Sequence, residues 1–138
     1  METFQLEILA ADRPFYKGPC QSMRVPISDG QYGILAHHRD VIAALVPGTL
    51  HLCLPDGTEQ IAAVSQGLIK VENNHVLILA DTIERPEEID ANRARREAAE
   101  AREAMLQKQS VQSYHSAQAR MARALNRLKV KEQQMINN

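Results

Sequence analysis

The sequence predicts an α+β protein in two parts: an N-terminal antiparallel β-sandwich or barrel over residues 1–85, then an antiparallel two-helix hairpin over residues 86–138. Three observations carry this. Short apolar runs in the first part alternate with a period of two, turn-forming pairs stand between them, and the grammar changes at Pro86. All six Gly and all six Pro lie at or before Pro86, so the last 52 residues contain neither of the strongest helix breakers.

The strands are read in order. Phe4, Leu6 and Ile8 alternate with Gln5 and Glu7; Met23, Val25 and Ile27 alternate with Ser22 and Arg24; Leu50, Leu52 and Leu54 alternate with His51 and Cys53. Side chains on a strand point to opposite faces in turn, so each run offers one face to a core. Asp29-Gly30, Pro47-Gly48, Pro55-Asp56-Gly57 and Asn73-Asn74 supply the turns, because Gly, Asn and Asp tolerate the positive φ that tight hairpins require. Hairpins are expected at Asp56-Gly57 and at Asn73-Asn74. The final strand, His75 to Asp81, is apolar on both faces, so its outer side is expected to be covered, with the helical part as the nearest candidate.

Pro86-Glu87-Glu88 suits a helix start, with proline at the first position and acids near the positive end of the helix dipole. Ala91, Ala94, Ala98, Ala101 and Met105 then recur at steps of three and four. The polar stretch Gln107 to Ser113 offers Ser110 and Ser113 as N-caps, and Tyr114, Ala117, Met121, Ala124, Leu128 and Met135 resume the rhythm. An alanine seam lets two backbones approach closely but buries little area, at ~0.8 kcal/mol per methylene-sized group. A hairpin fastened so weakly suits a two-state element.

Composition excludes several classes. The chain has 138 residues, close to the size of one domain at ~100–150. Its apolar runs, such as Val41 to Val46, fall far short of the ~20 residues of a spanning helix. The opening Met1 to Gln5 has neither the basic n-region of a secretory signal nor the Arg/Ser-rich character of a transit peptide, so the mature chain is expected to be this one. Cys20 and Cys53 sit in strand-like surroundings without metal or redox spacing and read as buried thiols. Sixteen basic and seventeen acidic side chains leave a net charge of −1, which gives no reason to expect nucleic acid. The balance hides a split: ten acids and six bases up to Pro86, then seven acids and ten bases.

Specific strings resemble the epsilon subunit of the F-type, rotary ATP synthase. Gly30 to His38 followed by Leu45-Val46-Pro47-Gly48 is similar to the family's G-x-x-G-I-L-P-x-H segment and its closing P-G turn, with Ala36 in place of the usual proline. Gly67 through Val71, Asn74, Leu79-Ala80-Asp81, Glu84-Arg85 and Glu88-Ile89-Asp90 resemble the family's last strands and the approach to its helices. The resemblance implies a β-sandwich of about ten strands with a two-helix hairpin and no catalytic site of its own. It implies a central-stalk subunit whose sandwich binds gamma and rests on the c-subunit ring, coupling ion-driven rotation to ATP synthesis in the alpha and beta subunits. The helices would extend among those subunits and inhibit ATP hydrolysis. The setting implied is the cytoplasmic side of a bacterial membrane, held peripherally.

The resemblance also implies site residues. Ile89-Asp90-Ala91-Asn92-Arg93-Ala94 matches the I/L-D-x-x-R-A string with which some bacterial members bind a regulatory ATP, and Arg123 to Arg127 resembles the arginine-bearing segment of the second helix. Arg93, Arg123 and Arg127 would hold phosphate oxygens, with Glu84 and Asp90 orienting the nucleotide or the arginines. Glu100 and Ser116 stand near positions where strongly binding members carry arginine. The structural alternative is helix capping by Asp90 and intrahelical pairing by Arg93. Arg120, Arg123, Arg127 and Lys131 form one helical stripe, read either as a solvated face or as a surface for acidic segments of the beta subunits. Ser28, Asp29, Gly30, Gln31 and Tyr32 correspond to the c-ring contact loop, and His38 to the family's interaction surface.

Two rival classes stand beside this reading. One is a stand-alone sandwich that binds protein and dimerises through its helices. The other is a small metal hydrolase using His37, His38 and Asp40; adjacent histidines on a strand diverge, and no H-E-x-x-H, G-x-S-x-G or phosphate-loop pattern is present, so no metal or catalytic residue is assigned.

Overall fold

The computed structural model describes residues 2–107 and 110–137, with side chains described as far as Gln134; the expected seam residue Met135 lies outside those described side chains. The chain divides into two compact units, Met1–Glu84 and Arg85–Asn138.

Ten strands build the first unit: β1 (Phe4–Ala10), β2 (Pro14–Cys20), β3 (Ser22–Ile27), β4 (Gly30–Leu35), β5 (Val41–Leu45), β6 (Gly48–Cys53), β7 (Glu59–Val64), β8 (Gly67–Glu72), β9 (His75–Ala80) and β10 (Ile83–Glu84). They form two five-stranded sheets, ordered β2-β1-β9-β8-β5 and β10-β7-β6-β3-β4. The inward residues of the period-two runs meet between the sheets: Phe4, Leu6, Ile8, Val25, Ile34, Leu50, Ile69 and Ile78 are all at most 2% exposed. β2 carries Pro14 and Pro19 and lies at a sheet edge, where a missing N–H breaks no second ladder.

Both expected hairpins form. β6 and β7 pair antiparallel across a turn where Gly57 has φ +89°, and β8 and β9 pair across Asn73 and Asn74, at φ +50° and +61°. Two successive left-handed residues match the right-handed twist of the strands they join. Asn74 Nδ2 donates to the Thr3 carbonyl, and Asn74 Oδ1 accepts from the His37 backbone N–H at 2.6 Å, so this turn also fastens two neighbouring segments. Among the described residues every strand pairing is antiparallel except one: β1 and β9 run parallel from Gln5↔His75 to Ala10↔Ala80. The outer face of that sheet stays partly open, with Leu68 and Leu79 39% and 38% exposed and Ile42 70% exposed.

The second unit holds a 3-10 turn (Pro86–Glu88), α1 (Ala91–Leu106) and α2 (Val111–Asn137). The α-helix does not start at Pro86, as the sequence suggests. The turn there lasts three residues, Ile89 is extended with φ −85° and ψ 124°, and α1 begins only after Asp90. Burial of Ile89, 5% exposed, and the cap made by Asp90 hold the chain in that break.

The most deeply buried of the expected seam residues are alanines. Ala94, Ala101, Ala117 and Ala124 are at most 2% exposed. Tyr114, expected in the seam, is 37% exposed, and Val130, which the heptad pattern omits, is fully buried. Val130 lies two residues beyond Leu128, about 200° further around a helix of 3.6 residues per turn, so its burial is not part of the alanine seam. Ser110 Oγ accepts from the Ser113 N–H at 3.0 Å and caps α2, while Ser113 lies inside the first turn.

Candidate functional site

On the hairpin the residues of the nucleotide string occupy two kinds of place. Asp90 Oδ1 accepts from the Arg93 N–H at 3.1 Å and closes the start of α1, and Ala94 is buried in the seam. Arg93 projects outward, its side chain 72% exposed, and its Nε donates to Glu97 Oε1 at 3.1 Å one turn along. From α2, Arg127 Nη1 donates to the other oxygen, Glu97 Oε2, also at 3.1 Å. One carboxylate therefore receives two guanidinium groups from two helices, with Glu97 and Arg127 side chains only 33% and 24% exposed. Charge-assisted bonds of this kind exceed ordinary hydrogen bonds in strength.

Both structural alternatives raised for Asp90 and Arg93 are thus realised: one caps, the other pairs within its helix. Arg123 lies one turn from Arg127 along α2 and is half-buried. Glu84 belongs to β10 in the first unit, where it pairs with Ala63. The residue that sequence reasoning passed over is Glu97. Its spacing of four from Arg93 signals an intrahelical pair, but nothing local signals Arg127.

The basic stripe is uneven. Arg120 is exposed, whereas Lys131 Nζ donates to the Pro86 carbonyl at 3.0 Å and ties α2 to the 3-10 turn. Gln134 Nε2 adds a bond to Glu87 at 3.3 Å.

On the sandwich, Ser28, Asp29, Gly30 and Gln31 are exposed at the β3–β4 turn, where Gly30 has φ +120°. Tyr32 is half-buried, and its hydroxyl meets His38 Nε2 at 3.0 Å with the two rings edge to face. His38 Nδ1 lies 2.7 Å from the Arg39 carbonyl, which fixes that nitrogen as the donor, so in a neutral ring Nε2 accepts from Tyr32. His37, at φ +63°, turns away toward Glu2 at 3.7 Å, and Asp40 Oδ1 accepts from the Asn73 N–H. The three side chains of the metal-hydrolase alternative therefore diverge. Among the described residues no group of three His, Cys, Asp or Glu is arranged to hold a metal.

The apolar residues left open on the first sheet cluster. Leu9 pairs with Leu79, Leu79 with Leu68, and Leu68 with Ala44, forming a band across β1, β9, β8 and β5 on the outer face. Glu7, Lys17, Lys70 and Glu72 border it. A contiguous apolar band with a charged rim is the composition of a protein interface. Among the described residues no helix is long and apolar enough to cross a membrane.

Comparison with known proteins agrees with this architecture part by part. Residues 3–86 match the family model for the β-sandwich domain of the ATP synthase delta/epsilon chain, and residues 87–132 match the model for its long α-helix domain. The ATP synthase epsilon chain of Caldicellulosiruptor bescii is 37% identical over 96% of both chains. That of Ruminiclostridium cellulolyticum is 38% identical over 93% of this chain and 95% of its own. Among solved structures, a chain of the Euglena gracilis mitochondrial ATP synthase shares the fold with a TM-score of 0.78 at 21% identity, covering 96% of this chain and 81% of that one. A chain of the Tetrahymena thermophila central stalk and c-ring matches at 0.66 and 10% identity, covering 94% and 97%. Two domain matches in tandem, and relatives above one-third identity aligned over nearly their whole lengths, establish that the chain belongs to the ATP synthase delta/epsilon family, among its epsilon chains.

Proposed function

We propose that the chain is the noncatalytic epsilon subunit of the central stalk of a proton-translocating ATP synthase, where it couples ion-driven rotation to ATP synthesis. The observation that carries this is the end-to-end match to epsilon chains, sandwich and hairpin alike. The outer apolar band of Leu9, Leu68 and Leu79 suits gamma, because burying it against a partner removes a face that a monomer has no reason to keep open. The exposed turn Ser28–Gln31, with Tyr32 and His38 bracing its base, suits the polar loops of the c-ring. The assembly would hold the chain peripherally on the cytoplasmic side of a bacterial membrane.

The hairpin acts as a brake on ATP hydrolysis. Its alanine seam buries little area, so folded and extended forms lie within reach of each other. Once extended among the alpha and beta subunits, Arg120, Arg123, Arg127 and Lys131 offer positive charge to acidic surfaces there. In the folded form, Arg93, Arg123 and Arg127, with Ile89, Asp90 and Ala94 at the start of α1, bind a regulatory ATP.

Purification of the ATP synthase from membranes tests the assignment. The chain is expected at one to one with gamma, and Leu68→Asp with Leu79→Asp together should release it. Ending the chain after Glu84 should leave gamma binding intact and raise ATP hydrolysis. Recovery of a self-associated species free of gamma would overturn the proposal. A cysteine replacing Gln31 should cross-link to the c subunit.

A further inference from the structure

The carboxylate of Glu97 lies between the guanidinium groups of Arg93 and Arg127. It accepts from Arg93 on α1 through one oxygen and from Arg127 on α2 through the other, at 3.1 Å each. A carboxylate that bridges two guanidinium groups makes the same demand on them as a phosphate: planar donors, two acceptor oxygens, negative charge. The two arms differ in exposure: the Glu97 and Arg127 side chains are 33% and 24% exposed, so that arm is less screened than the Arg93 arm, which is 72% exposed.

We propose that Glu97 is a built-in competitor for polyphosphate: it occupies the Arg93–Arg127 fork in the empty hairpin, and a polyphosphate enters only by displacing it. This rests on the reading of those arginines as an anion site and adds its regulation. The bridge clasps α1 to α2 without any ligand, which supplements a seam of small side chains. It also sets the threshold for the ligand, because an entering phosphate must replace both bonds and bear the repulsion of a carboxylate beside it. A glutamate here makes the hairpin less responsive to polyphosphate than the arginines alone would make it.

Calorimetric titration of the full chain with inorganic tripolyphosphate, and separately with ATP, tests this. Glu97→Gln keeps the shape and removes the charge, so tripolyphosphate should bind about tenfold more tightly than to the unaltered chain. Adding Arg127→Gln to that variant should abolish the gain. Glu103→Gln, which removes the same charge from an exposed position further along α1, should leave binding unchanged. Glu97→Asp, one methylene too short to span both guanidinium groups, should fall between and decides the matter if the glutamine variant loses helix content. Equal or weaker tripolyphosphate binding by a folded Glu97→Gln chain overturns the proposal, even where the unaltered chain binds ATP. Tighter tripolyphosphate binding with no ATP binding by either chain upholds the competitor and removes the nucleotide reading.

Discussion

Gly48 lies against the ring of Pro26 so closely that a β-carbon on it would overlap Cβ and Cγ of the proline. The two residues meet because the Pro26 carbonyl accepts from the Val46 N–H at 3.1 Å, which draws the start of β6 across the end of β3. The glycine of the closing P-G turn is therefore a packing requirement.

Gly48→Ala is expected to destabilise the sandwich by about 1–3 kcal/mol through overpacking. It should appear as a lower urea midpoint with an unchanged slope. Gly33→Ala, where an added β-carbon meets nothing within 4 Å, should stay within about 0.5 kcal/mol of the unaltered chain.

Ala101 and Ala124 are fully buried in the hairpin. Ala124→Leu should push the helices apart and cost about 1–3 kcal/mol, read as an earlier loss of helical circular dichroism on heating. In the assembled enzyme the same variant should favour the extended form and deepen inhibition of ATP hydrolysis. Unchanged melting would mean that the seam is not the closest contact.

Asp90→Ala removes the acceptor for the Arg93 N–H and should lower hairpin stability by about 1 kcal/mol. Asp90→Asn keeps an acceptor and should melt near the unaltered chain. Loss of ATP binding in the asparagine variant would then report the charge of Asp90 and not its cap.

Burial pushes the Cys20 thiol up from an ordinary value of 9.0 to about 11. A raised thiol pKa means that the folded state favours the neutral form, so this stabilisation is complete below pH 9 and is lost as pH rises toward 11. Desolvation also raises the Tyr16 hydroxyl, which acts in the same direction. Cys20→Ala should flatten the alkaline fall in the urea midpoint. At neutral pH an alkylating reagent should modify Cys53, which is half-buried, well before Cys20.

Much of the sandwich was legible because its signals are local. Alternation placed Phe4, Leu6, Ile8, Met23, Val25, Leu50 and Leu52 in the core, all now at most 4% exposed, and Asn73-Asn74 marked a hairpin through the backbone conformation those residues tolerate. The helical part was legible in kind but not in limits. A proline followed by two acids resembles a helix start, yet burial of Ile89 and the cap at Asp90 interrupt the chain first. The candidate site was legible as a set of arginines and not as a geometry.

The sequence by itself determined which faces are apolar, where the chain turns and that a breaker-free helical segment follows Pro86, since each depends on residues a few positions apart. Only the tertiary structure decided that β1 runs parallel to β9, some seventy residues later, and that Arg127 reaches Glu97, thirty residues away. Such partners are selected by the closing of the whole sandwich and by the register of two helices across a turn. Those free energies are collective, and no short stretch of residues carries them.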